Sequence, residues 1–386
     1  MTPFFTSAIH FIMNVLVLAA DQKQAIPVVQ SLGKRGIAIA CLSPNPNAPA
    51  FYSRYCTEKI HFANTSNRQA YADFLKRLVK TGKYRLLLPC SDHSTFIVSE
   101  HRQDISPYTQ VFLSSHQMVS TVSSKVKLMK FASRHHITVP KSFFISDLSD
   151  LEEGRFHLDF PVVIKRDITS GAKHLRYAAT KNELISGFHK LYLPNETIVV
   201  QQYIKGKEKL FYAVCDKGEV IAYFMMEATR THPPTGGTPA KAFSIKDPEL
   251  KDFAFNIIQA TQWTGMVGLD FKQEHESKEY YLLDFNPRFG GTTMLAVKSG
   301  VDFPYLLYEL AVEGKKTYVS EYDKKTYRSL FREDLFYAAN KPLAIPKLLV
   351  EFLDPRVFYG FDRDDPGPFF RSAKNTLGEL KDSLFR

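Results

Sequence analysis

The sequence is poor in cysteine and lacks long apolar runs, and both absences narrow the classes of protein to which it can belong. Its 386 residues include four cysteines, Cys41, Cys56, Cys90 and Cys215, with no C-x-x-C pair and no nearby paired histidine. This spacing indicates neither a disulfide framework nor a zinc site, and it is typical of buried, reduced thiols in a cytoplasmic protein. Beyond the N-terminal segment no run of about 18 apolar residues occurs, so no membrane span is predicted.

The apolar N-terminal segment, residues 4–20, has the length of a signal peptide but lacks its other features. No basic region precedes it, His10 and Asn14 interrupt it, and it continues directly into the apolar run at residues 15–18. We therefore predict a strand here rather than an export signal.

The chain has a net positive charge, but its basic residues do not cluster in one part of the sequence. Lysine and arginine number 50 against 40 aspartates and glutamates, which gives a formal net charge of +10. Because the basic residues are spread along the chain, nucleic-acid binding is not favoured, and the balance equally suits a protein that holds a triphosphate and an anionic substrate. A hydrophobic fraction of 44% is ordinary for a folded protein, and the length allows two or three domains.

The first third of the chain alternates between strand and helix patterns, which predicts a parallel α/β sheet covered by helices. Apolar runs at residues 15–19, 37–42, 85–89 and 111–114 predict strands, and helical spacing marks residues 25–34 and 71–80. No G-x-G-x-x-G follows the first strand, so this lobe is not expected to bind a dinucleotide. A helix is predicted over residues 124–135, with Ser123 or Ser124 as its N-cap.

The remainder predicts α+β architecture with a largely antiparallel sheet. Strands are expected at residues 162–165, 198–202, 211–215, 220–227, 265–273 and 279–286, and helices at 182–192 and 248–261. We divide the chain into a Rossmann-like lobe (1–120), a domain of two α+β subdomains (121–315, with a lid at about 140–203) and a C-terminal extension of uncertain fold (316–386).

A predicted hairpin carries the most informative polar residues. Asp270 stands near the end of one strand, and Asp284, Asn286 and Arg288 follow at period two on its neighbour. Two carboxylates and an amide oxygen are hard ligands of the kind that Mg²⁺ prefers, and the arginine fork suits phosphate or carboxylate oxygens. The alternative is a solvated hairpin end with scattered charges, which the turn formed by Pro287 and the following glycines makes less favourable.

Other segments are ambiguous when taken singly. Lys165 ends an apolar strand, the loop at residues 169–173 is made of small residues, and residues 201–208 join two strands through a glycine turn; each also suits an ordinary strand end, loop or linker. Arg230 opens a turn-rich loop and is either a carboxylate clamp or a surface arginine. The run Ser91-Asp92-His93 cannot form a catalytic triad, because adjacent residues in one loop lack that geometry, and helix capping is preferred for Asp92.

In order and spacing, these segments resemble the ATP-grasp superfamily over about residues 123–314. The likeness is to carboxylate-amine ligases, to halves of the carbamoyl phosphate synthetase large chain and to D-alanine-D-alanine ligase, with the preceding lobe similar to their pre-ATP-grasp domain. The resemblance implies nucleotide-binding, metal-binding and catalytic residues. The nucleotide set is Lys125, Lys165, Ser170, Gly171, Gln201, Tyr203, Ile204 and Glu208, the metal ligands are Asp270, Asp284 and Asn286, and the catalytic set is Arg288, Lys165 and Arg230.

The same resemblance implies an enzyme that uses ATP and Mg²⁺, or Mn²⁺ in its place, to couple a small-molecule carboxylate to an amine through an acyl phosphate. An amino-acid or peptide-like substrate is expected, with no nucleic-acid or membrane partner and with a homodimer as one possible assembly. Many relatives carry Glu where this chain has Gln201 and Asp284, which puts the acidic contact to adenine and the usual metal geometry in doubt. Two alternatives remain open: activation of bicarbonate on the same fold, and a non-catalytic ATP-binding protein.

Overall fold

A computed structural model describes residues 13–147, 149–152, 159–168, 175–194, 196–232, 237–329, 333–354 and 357–384. No helix among these residues is both long enough and apolar enough to cross a membrane.

The first lobe is a parallel four-stranded sheet in the order β3-β2-β1-β4, flanked by helices. Its elements are β1 (Met13–Leu18), α1 (Ala25–Gly33), β2 (Ile39–Ser43), β3 (Cys56–His61), α2 (Arg68–Val79), β4 (Tyr84–Pro89), α3 (Asp92–Glu100), α4 (Arg102–Ile105), α5 (His116–Ser123) and α6 (Lys125–Arg134). The predicted parallel α/β lobe is confirmed.

One strand of this lobe was predicted in the wrong place. Residues 111–114 form no strand, and the chain contributes only an isolated bridge between Leu86 and Gln110 there. The fourth strand is instead β3, an edge strand whose residues alternate between intermediate and exposed positions. An edge strand of this kind carries no continuous apolar run, which explains why the sequence pattern did not reveal it.

The lid is a small antiparallel sheet in the order β5-β8-β6-β7 with its own core. Its elements are β5 (Ser142–Ile145), α7 (Ser149–Glu152), β6 (Val162–Arg166), β7 (Leu175–Ala178), α8 (Lys181–Leu191) and β8 (Ile198–Gln202).

The third sheet has seven strands in the order β13-β12-β9-β10-β11-β14-β15. Its first part contains β9 (Gly206–Asp216), β10 (Glu219–His232), β11 (Thr238–Ser244), α9 (Pro248–Thr261), β12 (Gly265–Glu274), β13 (Tyr280–Asn286), α10 (Thr293–Lys298) and α11 (Phe303–Tyr308). Pairing is antiparallel throughout this part, as predicted. Strand β11 was not predicted.

The C-terminal extension completes the large sheet and reaches back to the first lobe. It consists of β14 (Thr326–Arg328), α12 (Glu333–Asn340), α13 (Ile345–Phe352), β15 (Val357–Phe358) and α14 (Gly367–Leu384). Strand β14 pairs with β11, and the buried carboxylate of Asp365 accepts hydrogen bonds from Gln30, Ser53 and the Arg54 backbone in the first lobe. The extension is therefore integrated into the fold.

The two faces of the large sheet pack into different cores. A first core joins Leu210, Tyr212 and Met226 of the sheet to strand β1 and helix α1 of the first lobe. A second core joins the opposite face, including Leu269 and Phe285, to helices α6 and α9. The polar residues that alternate with Leu269 and Phe285 therefore point toward the first lobe.

Candidate active site

Asp270 and Asp284 are direct partners on the antiparallel strands β12 and β13. Because their neighbours Leu269 and Phe285 are buried in the second core, both carboxylates lie on the face toward the first lobe. A bulge follows Asp270 in the register. The hairpin thus brings the two acidic side chains together as predicted, although Asp270 lies in the middle of β12 and not near its end.

Asn286 and Arg288 extend this pair along the same strand. The Asn286 amide donates to Asp270 Oδ2 at 2.9 Å, and its Oδ1 accepts from Arg288 Nη2 at 3.2 Å. Arg288 also donates from Nη1 to the Phe289 carbonyl at 3.0 Å. Asp270, Asn286 and Arg288 therefore form one hydrogen-bonded set, and Asp284 lies beside it as the register partner of Asp270.

The first lobe holds Arg288 from the other side. Asp92, the first residue of α3, accepts from Arg288 Nε at 3.0 Å, although 196 residues separate them. Burial lowers the pKa of Arg288, but the adjacent Asp92 carboxylate outweighs this and the net shift is upward. Ser91, rather than Asp92, caps α3, which leaves the Asp92 carboxylate available for the arginine.

Lys125 enters the site from the start of α6. Its Nζ lies 3.5 Å from Asp284 Oδ1, and the residue is 4% exposed. Ser124 caps the helix and also donates to Asp167, whose carboxylate accepts from the Val126 backbone at 2.8 Å. Asp167 follows the lid strand β6, so it ties the lid to the helix end that carries Lys125.

Lys165 lies on β6 and is buried, with 6% exposure. Within the described ranges its ammonium group forms no hydrogen bond or ion pair. Burial and then the positive charge of Lys125 lower the pKa of Lys165 to about 8, against the opposing effect of Asp284 and Asp270. A buried ammonium without a fixed partner is stabilised by an anion that arrives from outside the chain.

We call Lys125, Lys165, Asp270, Asp284, Asn286 and Arg288 the hairpin cluster.

The donor atoms of the hairpin cluster suit a divalent cation. Burial and the adjacent Asp284 carboxylate raise the pKa of Asp270 to about 7. A cation between the two carboxylates would remove that repulsion, and Asn286 Oδ1 adds a hard oxygen. Elsewhere in the described part of the chain no three carboxylate, thiolate or imidazole side chains converge, so two carboxylates and one amide are the set available.

The turn after Arg288 depends on a glycine. A Cβ at Gly290 would lie 2.0 Å from the hydroxyl oxygen of Tyr212, which itself is hydrogen-bonded to Thr292 Oγ1 at 2.8 Å. Any larger residue would displace this tyrosine, whose ring supports Gly268 on β12. The glycine therefore allows the chain to pass close to the hairpin.

The residues expected around a nucleotide base lie at the junction of the lid and the large sheet. Gln201 is buried on β8 and donates to Ser142 Oγ at 2.9 Å; Tyr203 and the buried Ile204 follow it. Glu208 lies on β9, and its Oε2 is 3.9 Å from Lys272 Nζ. Burial raises the pKa of Glu208 to about 7, although Lys272 acts in the opposite direction.

The predicted phosphate loop at residues 169–173, including Ser170 and Gly171, lies outside the described residues.

Arg230 belongs to a different group of charges, which we call the Arg230 network. Its Nε lies 2.8 Å from Asp334, and its Nη1 lies 2.9 Å from Glu351. Lys241 also pairs with Glu351, at 3.2 Å, and Arg328 pairs with Asp334. Both carboxylates come from the C-terminal extension, so Arg230 is not brought to the hairpin cluster, and its predicted role as a substrate clamp has no support in these contacts.

Two residues of the site were missed by the sequence analysis. Asp92 was assigned to helix capping, and Asp167 was not considered. Asp92 follows the carboxyl end of β4, next to the point where strand order reverses between β1 and β4, and such edges commonly face ligands. That topology was the available signal for Asp92; Asp167 offered none beyond its place after a predicted strand.

Comparison with known proteins supports an ATP-grasp domain. Residues 194–330 match the family described as ATP-grasp in the biosynthetic pathway with Ter operon. The D-aspartate ligase of Enterococcus faecium is 20% identical over 256 residues, covering 61% of this chain and 60% of that protein. The carbamoyl phosphate synthase large chain of Methanothermobacter thermautotrophicus is 23% identical over 202 residues, covering 49% of this chain and 19% of that protein.

A solved structure shows the same fold over most of the chain. The N5-carboxyaminoimidazole synthetase of Staphylococcus aureus in complex with ADP superposes with a TM-score of 0.68 at 16% identity, over 86% of each chain. The predicted ATP-grasp fold is therefore confirmed, while this chain spans less than two thirds of either curated relative.

Proposed function

We propose that this chain, which carries an ATP-grasp domain, is an ATP- and Mg²⁺-dependent ligase that couples a carboxylate to an amine. The observation that carries the proposal is the convergence of three cations, Lys125, Lys165 and Arg288, on the paired carboxylates of the hairpin cluster. Such a site suits a metal-bound triphosphate. The phosphates would give the Lys165 ammonium a partner, and the metal ion would neutralise the adjacent carboxylates of Asp270 and Asp284.

In this proposal each part of the cluster has a separate task. Asp270, Asp284 and Asn286 would hold Mg²⁺, and Lys125 and Lys165 would neutralise phosphate oxygens. Bound Mg²⁺ supplies positive charge that neutralises the phosphate oxygens. Arg288 has five N–H donors, of which three are used by partners among the described residues, so two are available for the oxygens of the transferred phosphoryl group.

The base and ribose would lie at the junction of the lid and the large sheet. Tyr203 and Ile204 would contact the adenine, and Glu208 would accept from the ribose hydroxyls. Gln201 would offer an amide in place of the carboxylate found in many relatives, but its donor group is already directed to Ser142.

The proposed reaction proceeds in two balanced steps. A substrate carboxylate oxygen attacks the γ-phosphorus, the bond to the ADP oxygen breaks, and an acyl phosphate and ADP result. The amine nitrogen then attacks the acyl carbon. The bond between this carbon and the phosphate oxygen breaks, inorganic phosphate leaves, and the nitrogen loses a proton. No covalent enzyme nucleophile is required, because positioning and charge neutralisation lower the barrier. The lid would keep the acyl phosphate from water.

An amino-acid or peptide-like substrate is part of the proposal. It is supported by the likeness to a D-aspartate ligase, a protein whose name specifies an amino acid.

The test is ADP release by the purified chain with ATP, Mg²⁺ and pools of amino acids, other carboxylates and amines, with mass spectrometry of the products. We expect ADP release that requires both an acid and an amine, together with a product heavier by the amine minus water. Release that requires bicarbonate instead would move the assignment to a carboxylating enzyme. ATP binding without ADP release under any pool would contradict a catalytic role.

The matched variants are Asp284→Asn and Asp252→Asn. Both remove one carboxylate, but Asp252 is an exposed residue of α9 whose side chain is 71% accessible. Only the first substitution should lower ADP release, by roughly 10²-fold or more.

A further inference from the structure

A cavity lies on the opposite face of the large sheet from the hairpin cluster. It has a volume of about 910 Å³ and opens between strands β10, β11 and β14 and helices α12 and α13. Its lining includes Ile245, which packs against the second core, whereas Asp270 and Asp284 face the first lobe. We call it the basic cavity.

Positive side chains dominate this lining. Six basic residues face two acidic ones, Glu351 and Asp354; the basic residues are Arg230, Lys241, Lys246, Lys324, Lys325 and Lys347. Several are partly neutralised inside the chain, since Lys241 pairs with Glu351 at 3.2 Å and Lys246 with Glu321 at 3.1 Å. Lys324 and Lys347 are exposed and form no ion pair within the described ranges. The cavity therefore keeps excess positive charge at its rim.

The buried floor of the cavity also lacks an acceptor. Arg230 uses Nε and Nη1 in its two ion pairs, but its buried Nη2 has no hydrogen-bond partner in the part of the chain that is described. A buried donor without an acceptor is unfavourable, and native proteins rarely leave one. Tyr337 and Leu348 add apolar surface beside it, with the Arg230 guanidinium 5.4 Å from the Tyr337 ring centre.

We propose that the basic cavity binds a small organic polyanion, a molecule with at least two carboxylate or phosphate groups on a short carbon frame. One anionic group is bound at the rim by Lys324 and Lys347, and a second approaches Arg230 and supplies the missing acceptor. The apolar frame contacts Tyr337 and Leu348. This site is separate from the nucleotide site proposed above and does not depend on it.

The test is isothermal titration of the full chain in EDTA with two probes, citrate and inorganic pyrophosphate, which represent the carboxylate and phosphate forms of the ligand. The double variant Lys324→Gln/Lys347→Gln should weaken binding of the better probe by about tenfold, because two direct charge contacts are lost. The matched control, Lys181→Gln/Lys190→Gln, removes two exposed lysines of α8 and should bind as the parent does.

A third variant separates the two sites. Lys165→Met removes a cation of the hairpin cluster, and binding of the better probe should persist in it. Loss of binding in Lys165→Met, or equal binding in the Lys324→Gln/Lys347→Gln variant and the parent, would overturn the proposal. Absence of binding by both probes in the parent would also overturn it.

Discussion

The hairpin cluster and the Arg230 network contain similar charged side chains, but their surroundings shift the pKa values of these side chains in opposite directions. In the hairpin cluster, burial and Asp284 raise the pKa of Asp270 to about 7, and burial and Lys125 lower the pKa of Lys165 to about 8. In the Arg230 network, burial raises the pKa of Glu351, but the hydrogen bonds and positive charges of Arg230 and Lys241 together outweigh it and the net shift is downward. Charges are thus disfavoured in one region and favoured in the other.

This difference in pKa shifts indicates that the carboxylates of the hairpin cluster bind a ligand, whereas those of the Arg230 network hold the fold together. In the Arg230 network every carboxylate is paired with close guanidinium and ammonium groups when the chain folds, and only Arg230 Nη2 keeps no acceptor among the described residues. The hairpin cluster leaves like charges adjacent and a lysine without a fixed partner, so its charges are satisfied only when a ligand binds. The pKa shifts that favour neutral Asp270 and neutral Lys165 therefore indicate that the hairpin cluster is the region where a reaction is expected.

The largest effect should come from breaking the Arg230 network. Arg230→Met would leave the buried carboxylate of Asp334 and the partly buried carboxylate of Glu351 with fewer partners, and we expect a loss of about 3–5 kcal/mol in the free energy of unfolding. Chemical denaturation measures it, with Arg77→Met, an exposed residue of α2, as the control. An unchanged unfolding free energy would show that the network is not structural.

The second effect should be on catalysis without a loss of stability. Asp284→Ala and Arg288→Ala should each lower turnover by roughly 10²–10³-fold, because each removes charge aimed at the reacting phosphoryl group. Asp284→Ala should change the unfolding free energy little, since the repulsion of Asp270 and the ion pair with Lys125 are lost together. A large loss of stability in Asp284→Ala would place this carboxylate in a structural role like that of Asp334.

The third effect concerns pH and Lys165. Only the protonated ammonium attracts phosphate, and ATP would raise the pKa of Lys165 in the complex above the value of about 8 in the free protein. Affinity for ATP should therefore be greatest below pH 8 and fall above it, approaching tenfold per pH unit. Equilibrium dialysis with ATP in EDTA measures this. Lys165→Met should bind weakly with a flat profile; the same slope in that variant would assign the titration to another group.

The smallest effect should come from Asp92, which contacts Arg288 but belongs to the first lobe. Asp92→Asn should lower turnover by about tenfold, because Arg288 loses the charge that orients it, while ATP affinity stays near the parent value. Steady-state kinetics in parallel with ATP binding separate these effects. Asp92→Glu should recover part of the turnover, and a variant in which neither quantity changes would remove Asp92 from the site.

Four residues of the hairpin cluster, Asp270, Asp284, Asn286 and Arg288, could be predicted from the sequence because they lie on or directly after two paired strands. The period-two spacing of Asp284, Asn286 and Arg288 predicted that their side chains share one face of the strand. The order of the flanking segments predicted the fold. Lys125 and Lys165 followed from the family resemblance, and the structure brings both to the same cluster.

Long-range contacts account for the remaining differences. Arg230 was predicted beside the substrate because it opens a turn-rich loop. Its partners Asp334 and Glu351 lie in the C-terminal extension, whose fold the sequence pattern did not predict. Asp92 reaches Arg288 only through the packing of the first lobe on the large sheet. Neither local pattern nor spacing encodes such pairings, so the sequence alone could not assign them.

In the proposed function, the paired carboxylates Asp270 and Asp284 hold a divalent cation together with a nucleotide. Electron paramagnetic resonance of Mn²⁺, with a non-hydrolysable ATP analogue, measures this directly in the parent, in Asp270→Asn/Asp284→Asn and in the exposed control Asp252→Asn. We predict nucleotide-dependent Mn²⁺ binding in the parent and the control, and at least tenfold weaker binding in the double variant. Equal Mn²⁺ binding in the double variant and the parent would contradict the account.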